Sequence, residues 1–252
     1  MIRDLWLIGI GTGSEAHVTL QGMQALRDAA VILLPLKGEE KETLAILRQR
    51  IITASRTDAQ VLTFDYPVRD PALPYLERVS AWHDEIARRW QAAMENAAAI
   101  GPVALLVWGD PSLYDSTLRI AARLTPKPSV RLIPGITAIQ ALTAAHAIPL
   151  NSINGPVHIT TGRRLRSSGV PSGETTVVVM LDGQCSFQEL DPEGLHIWWG
   201  AYLASENEIL IEGPLHEVGN EIVQKRAEAR ARNGWIMDSY LLRREDNPSR
   251  LF

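Results

Sequence analysis

"LLVWGDPSLYDST" (residues 105–117) runs from an unbroken apolar stretch straight into Gly109-Asp110-Pro111. A short, wholly apolar run reads as a strand covered on both faces, and Gly-Asp-Pro as a tight turn at its end. Two other stretches repeat the arrangement, "LIGIGTGS" (7–14) and "IPGITAIQA" (133–141). If all three strands belong to one sheet, their turns share its carboxyl edge, where open α/β sheets place ligands. Three glycine turns gathered there favour a ligand site over three independent chain reversals.

Outward from these loops, the first half alternates strands with helical patterns. Apolar runs occur at 5–11, 29–35, 59–65, 103–109 and 130–135. The clearest amphipathic segment is 77–99, where Val79, Trp82, Ile86, Trp90, Ala93, Met94 and Ala97 recur at helical spacing. This rhythm predicts a mainly parallel sheet with helices on both faces. Pro, Asn and Gly cluster in "AIPLNSINGPV" (147–157), a natural border. Beyond it, strands at 157–162, 175–181, 195–203 and 208–213 have little helix between them until 215–234, whose basic last turn and Gly234 mark its end. A strand at 235–244 closes the chain. The expectation is an α/β protein of two α/β domains, 1–152 with a mainly parallel sheet and 153–252 with a mixed sheet.

Composition narrows the function classes. With 25 basic and 29 acidic residues, the net charge of −4 gives no general attraction to polyanions, so no nucleic-acid partner is expected. The longest uncharged run, 132–162, is broken by Pro134, Pro149 and Pro156 and is not a bilayer span, so no membrane partner is expected. No signal peptide is read at the start, and the single cysteine, Cys185, fits a reducing cytoplasm and a buried small apolar residue. No metal is expected: the histidines form no H-E-x-x-H and have no cysteine partner spacing. No G-x-S-x-G of a serine hydrolase is present either.

A dinucleotide is disfavoured as the ligand. Gly9, Gly11 and Gly13 are spaced G-x-G-x-G with Ser14 next, which puts the third glycine one position early. The second strand ends "LLPLKG" (33–38), with no acid at its tip for a ribose hydroxyl.

The order and spacing of "LIGIGTG", "VTLQGMQALRDAAVIL", "GDPSLY", "PGITAIQAL", "VVVML" and "EILIEGPL" resemble the class III S-adenosylmethionine-dependent methyltransferases that act on tetrapyrroles. The resemblance covers almost the whole chain. It implies a cytoplasmic homodimeric enzyme that binds S-adenosyl-L-methionine in a cleft between the two domains and releases S-adenosyl-L-homocysteine. Transferred position by position, the cofactor residues are Thr12 (where relatives commonly carry proline), Trp108, Gly109, Asp110, Leu113, Thr137 and Ala138. From the second domain come Met180, Tyr202, Leu203, Trp235 and Ile236, the last two read as the start of the final strand. For Asp110 the plainer reading is a turn aspartate bonded to its own backbone; for Met180 it is core filler.

"YPVRDP" (66–71), "WWGAYLASENEILIEGPL" (198–215) and "GWIMDSYLLRR" (234–244) narrow the resemblance to the branch that methylates C1 of precorrin-5 and expels acetate on the aerobic route to cobalamin. The alternatives are the same fold acting on another corrin carbon or a modified peptide, and a binding module without turnover. A macrocycle fringed with carboxylates calls for arginine forks. The candidates are Arg69 and the triplet Arg163, Arg164 and Arg166 in "GRRLRSSG" (162–169), whose plainer reading is a solvated surface loop. Proton handling during acetate loss falls to Asp65, Tyr66, Lys37 or Glu39, each near a strand end, and no spacing selects among them. Many relatives carry an acid where this chain has Pro35, so that base does not transfer.

Overall fold

The computed structural model describes residues 4–36 and 42–244. The chain forms two compact units, 1–137 and 138–252.

The first unit alternates strand and helix: β1 (Asp4–Gly9), α1 (Leu20–Asp28), β2 (Val31–Leu36), α2 (Glu42–Ser55), β3 (Gln60–Asp65), α3 (Tyr75–Glu95), β4 (Val103–Val107), α4 (Thr117–Ala121) and β5 (Ser129–Ile133). The sheet order is β3-β2-β4-β1-β5, with every pair parallel. Successive residues of the inner strands point to opposite faces, so each strand feeds two cores. Leu7, Leu33 and Leu105 join Ile86 and Trp90 of α3 and Ile120 of α4. Ile8, Ile32 and Leu106 join Leu26 of α1 and Ile51 of α2. That double covering explains why β4 reads "VALLV" with no polar alternation: all five residues are buried. Gly9 of β1 pairs with Val107 of β4, and Ile8 with Ile133 of β5. The three glycine turns therefore leave the sheet side by side.

The second unit contains α5 (Ala138–Ala145), β6 (Val157–Thr161), α6 (Gly162–Ser168), β7 (Thr176–Met180), β8 (Leu195–Ala201), β9 (Ile209–Pro214), α7 (Leu215–Asn233) and β10 (Asp238–Arg244). Its sheet order is β6-β7-β10-β8-β9; β6 and β7 are parallel and the other pairs antiparallel, giving the mixed sheet expected from the sequence. Val177, Val179, Phe187, Ile197, Trp199, Ile222 and Tyr240 form its core. Gly234 ends α7 in the left-handed conformation, at φ 73°.

Three local readings need correction. "GRRLRSSG" is mostly helix: Thr161 caps Arg164 (N···Oγ1 3.4 Å), Leu165 is buried, and Gly169 at φ 65° ends it. The glycine and serines at its ends hid a single buried leucine as the anchor. Trp235 and Ile236 do not start the last strand; β10 begins at Asp238, after they have packed against the second core. Tyr202 and Leu203 likewise lie beyond the end of β8, and Tyr202 has φ 50°. The expected border at 152/153 lies in the second unit, because α5 packs on β8 and β10.

Candidate functional site

In the first unit, the glycines at the carboxyl edge have two separate jobs. Gly11 and Gly109 form an antiparallel bridge: the Gly109 amide donates to the Gly11 carbonyl at 2.8 Å and the Gly11 amide returns to the Gly109 carbonyl at 3.3 Å. A Cβ on Gly9 would stand 2.6 Å from the Gly135 nitrogen, and one on Gly135 would stand 2.2 Å from the Gly109 carbonyl oxygen. Only glycine lets three backbones approach so closely. Gly109 differs, because its φ is 67° and an added Cβ would meet nothing within 4 Å. One face of the Gly-Asp-Pro turn is thus open, with room for a ligand against bare backbone.

Asp110 carries its turn and the neighbouring one. Its Oδ1 accepts from the Ser112 amide at 2.8 Å and from the Ser112 hydroxyl, while Oδ2 accepts from the Gly135 amide at 2.9 Å. Burial alone would raise this carboxyl's pKa. The Ser112 hydroxyl and the Gly135 and Ser112 amides outweigh burial and hold it below the usual carboxylate range. Its side chain is therefore committed to protein donors. Thr12 is buried and its hydroxyl lies 3.3 Å from His17 Nδ1. Trp108 packs partly buried against the Ile8 core, and Leu113 and Thr137 are half-buried.

In the second unit, two loops are pinned by buried polar groups that sequence reading missed. Met180, half-buried, ends β7 and is followed by Leu181, which is 66% exposed at φ 54°. Asp182 closes this turn, accepting from the amides of Gln184 (3.1 Å) and Ser186 (2.6 Å), the Ser186 hydroxyl (2.9 Å) and the Tyr240 hydroxyl (2.7 Å). Beside it, Arg226 and Asp238 form a buried ion pair at 2.8 Å, with Trp199 Nε1 donating to the same carboxylate at 3.0 Å. The aspartate-glycine pair at 182–183, directly after a strand, was the available signal.

Tyr202 brings the other candidates together. Its hydroxyl donates to the Trp235 carbonyl, its amide donates to the Met237 carbonyl at 3.0 Å, and its ring meets Trp235 edge-on at 5.2 Å. Leu203 is buried close to Gly200, where a Cβ would stand 2.6 Å from its Cδ2 and 2.9 Å from Leu142 Cδ1. Ala138 opens α5, the helix that carries Leu142.

The candidates for proton transfer and carboxylate binding are less concentrated. Asp65 ends β3 exposed, and Lys37 and Glu39 lie outside the described residues. Tyr66 stacks on Trp82 at 5.8 Å, and the guanidinium of Arg69 covers the Trp82 ring at 4.1 Å. Burial raises the Tyr66 phenol's pKa above its ordinary value, partly offset by the charge of Arg48. At neutral pH the phenol is therefore protonated. Arg163 and Arg164 are exposed on α6, whereas Arg166 donates to the Ser186 hydroxyl at 3.3 Å and braces the Asp182 loop. Arg48 of α2, absent from the expected set, donates Nε–H to the Leu106 carbonyl at 3.3 Å, beside the Gly-Asp-Pro turn.

Comparison with known proteins converges on one group. The family pattern of the Tetrapyrrole (Corrin/Porphyrin) Methylases matches residues 4–219. A curated relative from Sinorhizobium sp., Precorrin-6A synthase [deacetylating], is 45% identical over 251 residues, covering 96% of this chain and 96% of its own. A Precorrin-2 C(20)-methyltransferase, also from Sinorhizobium sp., is 29% identical over 57% of this chain and 59% of its own. Among solved structures, a cobalamin synthesis related protein of Corynebacterium diphtheriae superposes with a TM-score of 0.83 at 39% identity, covering 98% of this chain and 100% of that one. The uroporphyrin-III C-methyltransferase of Thermus thermophilus complexed with S-adenosylhomocysteine shares the fold, with a TM-score of 0.60 at 17% identity over 96% of this chain and 92% of that one.

Proposed function

Because this chain belongs to the tetrapyrrole (corrin/porphyrin) methylases, a family of S-adenosylmethionine-dependent methyltransferases of cobalamin biosynthesis, we propose that it methylates C1 of precorrin-5 and releases acetate. The observation that carries this reading is the end-to-end match to the deacetylating relative, at 45% identity. The partial matches, two of them to enzymes named for other ring carbons, stop near three fifths of this chain. The balanced reaction consumes S-adenosylmethionine, water and precorrin-5, and yields S-adenosylhomocysteine, acetate and precorrin-6A.

The residues present fit such a cofactor on one observation above all: the open face of Gly109 in a turn that glycines 9, 11 and 135 hold rigid. When bound, S-adenosylmethionine supplies a methyl group on a positively charged sulfur. Thr12, Trp108, Gly109, Leu113, Thr137 and Ala138 are its proposed neighbours, together with Met180, Tyr202, Leu203, Trp235 and Ile236. Asp110 acts one step back, fixing the turn. Fixed backbone donors orient a ligand without reorganising, which is the main contribution a protein makes to an in-line displacement.

On the substrate side, Arg69, Arg163 and Arg164 are proposed to meet ring carboxylates. Tyr66 is proposed to deliver a proton at neutral pH, and Asp65 remains the described candidate for accepting one from water. The test is binding followed by turnover. Calorimetry with S-adenosylhomocysteine should give micromolar affinity, about −8 kcal/mol, and none for NAD. Precorrin-5 should leave with one methyl gained and its acetyl group lost. A saturable NAD site, or a methylated product that keeps the acetyl group, would refute the assignment.

A further inference from the structure

We propose that Arg48 anchors a ligand carboxylate at the carboxyl edge of the first sheet, an inference that rests on reading the chain as a methyltransferase of a carboxylate-bearing macrocycle. On α2, Leu44 and Ile52 are buried, at 8% and 5% exposure. Arg48 lies four residues from each, so it projects from the same apolar face. A guanidinium on the core side of a helix is costly unless something satisfies its charge.

The described residues supply only part of that satisfaction. Nε donates to the carbonyl of Leu106, the penultimate residue of β4 and three positions before Gly109. Among the described residues no carboxylate comes within ion-pair distance, and the Nη1 and Nη2 ends of the fork have no hydrogen-bond partner. Asp115 contributes favourable charge, but its Oδ1 is taken by the amide and hydroxyl of Thr117. Tyr66 is the other group in the field of Arg48, and burial outweighs both, holding the guanidinium's pKa below its usual value. Arg226 shows the contrast: buried at 9% exposure, it is closed by Asp238 at 2.8 Å.

An arginine held, among the described residues, by one neutral carbonyl, with its parallel pair of N–H donors unspent there, matches the geometry of a single carboxylate. Two sources offer that chemistry: an acetate or propionate arm of the macrocycle, and the amino-acid carboxylate of the cofactor. Arg48→Gln separates them, since glutamine can keep a hydrogen bond to Leu106 while losing the charge. The control is Arg50→Gln on the same helix, which removes an exposed arginine paired with Glu15 at 2.6 Å.

If the macrocycle is the source, Arg48→Gln raises KM for precorrin-5 by about ten- to a hundredfold and leaves S-adenosylhomocysteine affinity unchanged. If the cofactor is the source, S-adenosylhomocysteine weakens by that factor, while 5′-methylthioadenosine, which lacks the carboxylate, binds as before. In both cases the ligand-free variant melts at the wild-type temperature or above it, because a charge with no ion-pair partner among the described residues has been removed. Wild-type KM and wild-type cofactor affinity in the folded variant would overturn the proposal. So would a variant that is destabilised or unfolded without ligand, which would make Arg48 a structural group. Failure of the wild-type protein to turn over precorrin-5 is a different result and overturns the functional reading instead.

Discussion

The carboxylate of Asp110 accepts the amide of Gly135 at 2.9 Å, tying the turn after β4 to the turn after β5. Through the same group Ser112 is held in place, and through Gly109 the first glycine loop joins the assembly. The carboxyl edge of the first sheet is thus one hydrogen-bonded body, and its stiffness resides in a few identifiable contacts.

Replacing Asp110 by Asn puts an amide donor against the Ser112 and Gly135 donors. At about pH 7 this should lower unfolding free energy by about 1–3 kcal/mol. The carboxyl's folded pKa lies below its unfolded value of about 3.9, so its stabilising contribution is full above that value and is lost as pH falls through the folded pKa. Urea titrations at about pH 7 and about pH 2 should show the gap between wild type and Asp110→Asn closing in acid. An equal gap at both would mean the carboxylate charge is irrelevant to the turn.

The two kinds of glycine predict two phenotypes. Gly109→Ala has free space for its Cβ but takes φ 67°, so it should fold at a penalty of about 1–2 kcal/mol and bind S-adenosylhomocysteine more weakly. Gly135→Ala places a Cβ 2.2 Å from a backbone oxygen and should lose at least about 3 kcal/mol or fail to fold. Thermal melts and calorimetry on the pair check this. Unchanged affinity in a folded Gly109→Ala protein would make that turn structural only.

Burial pushes the Cys185 thiol up to about 11, with the charge of Arg226 only partly opposing it. Native protein should therefore resist a disulfide reagent at about pH 8 and react fully once denatured. Rapid labelling of the native state would show that the Asp182 loop opens readily.

The sheets were legible from the sequence because strands covered on both faces have no polar positions, and "VALLV" and "TVVVM" can hardly be read otherwise. The glycine turns after β1 and β4 were legible for the same reason, whereas the third follows β5, an edge strand that is largely exposed. What stayed hidden was held by single side chains. One leucine, Leu165, makes α6 a helix, and one tyrosine, Tyr202, holds Trp235 outside β10. Asp182, with hydrogen-bond partners from 2 to 58 residues away, has no periodic signature at all. Arg48 was missed because a charged residue on a helix reads as solvated until the burial of Leu44 and Ile52 shows which face it occupies.

The central claim is that this chain couples methyl transfer to loss of an acetyl group, and the stoichiometry of one reaction tests it most directly. Purified protein, precorrin-5 and S-adenosylmethionine are incubated, and S-adenosylhomocysteine and acetate are quantified in the same quenched samples. The account predicts one acetate for each S-adenosylhomocysteine throughout the time course. S-adenosylhomocysteine accumulating without acetate, with a product that retains its acetyl group, would contradict it and leave a corrin methyltransferase of different specificity.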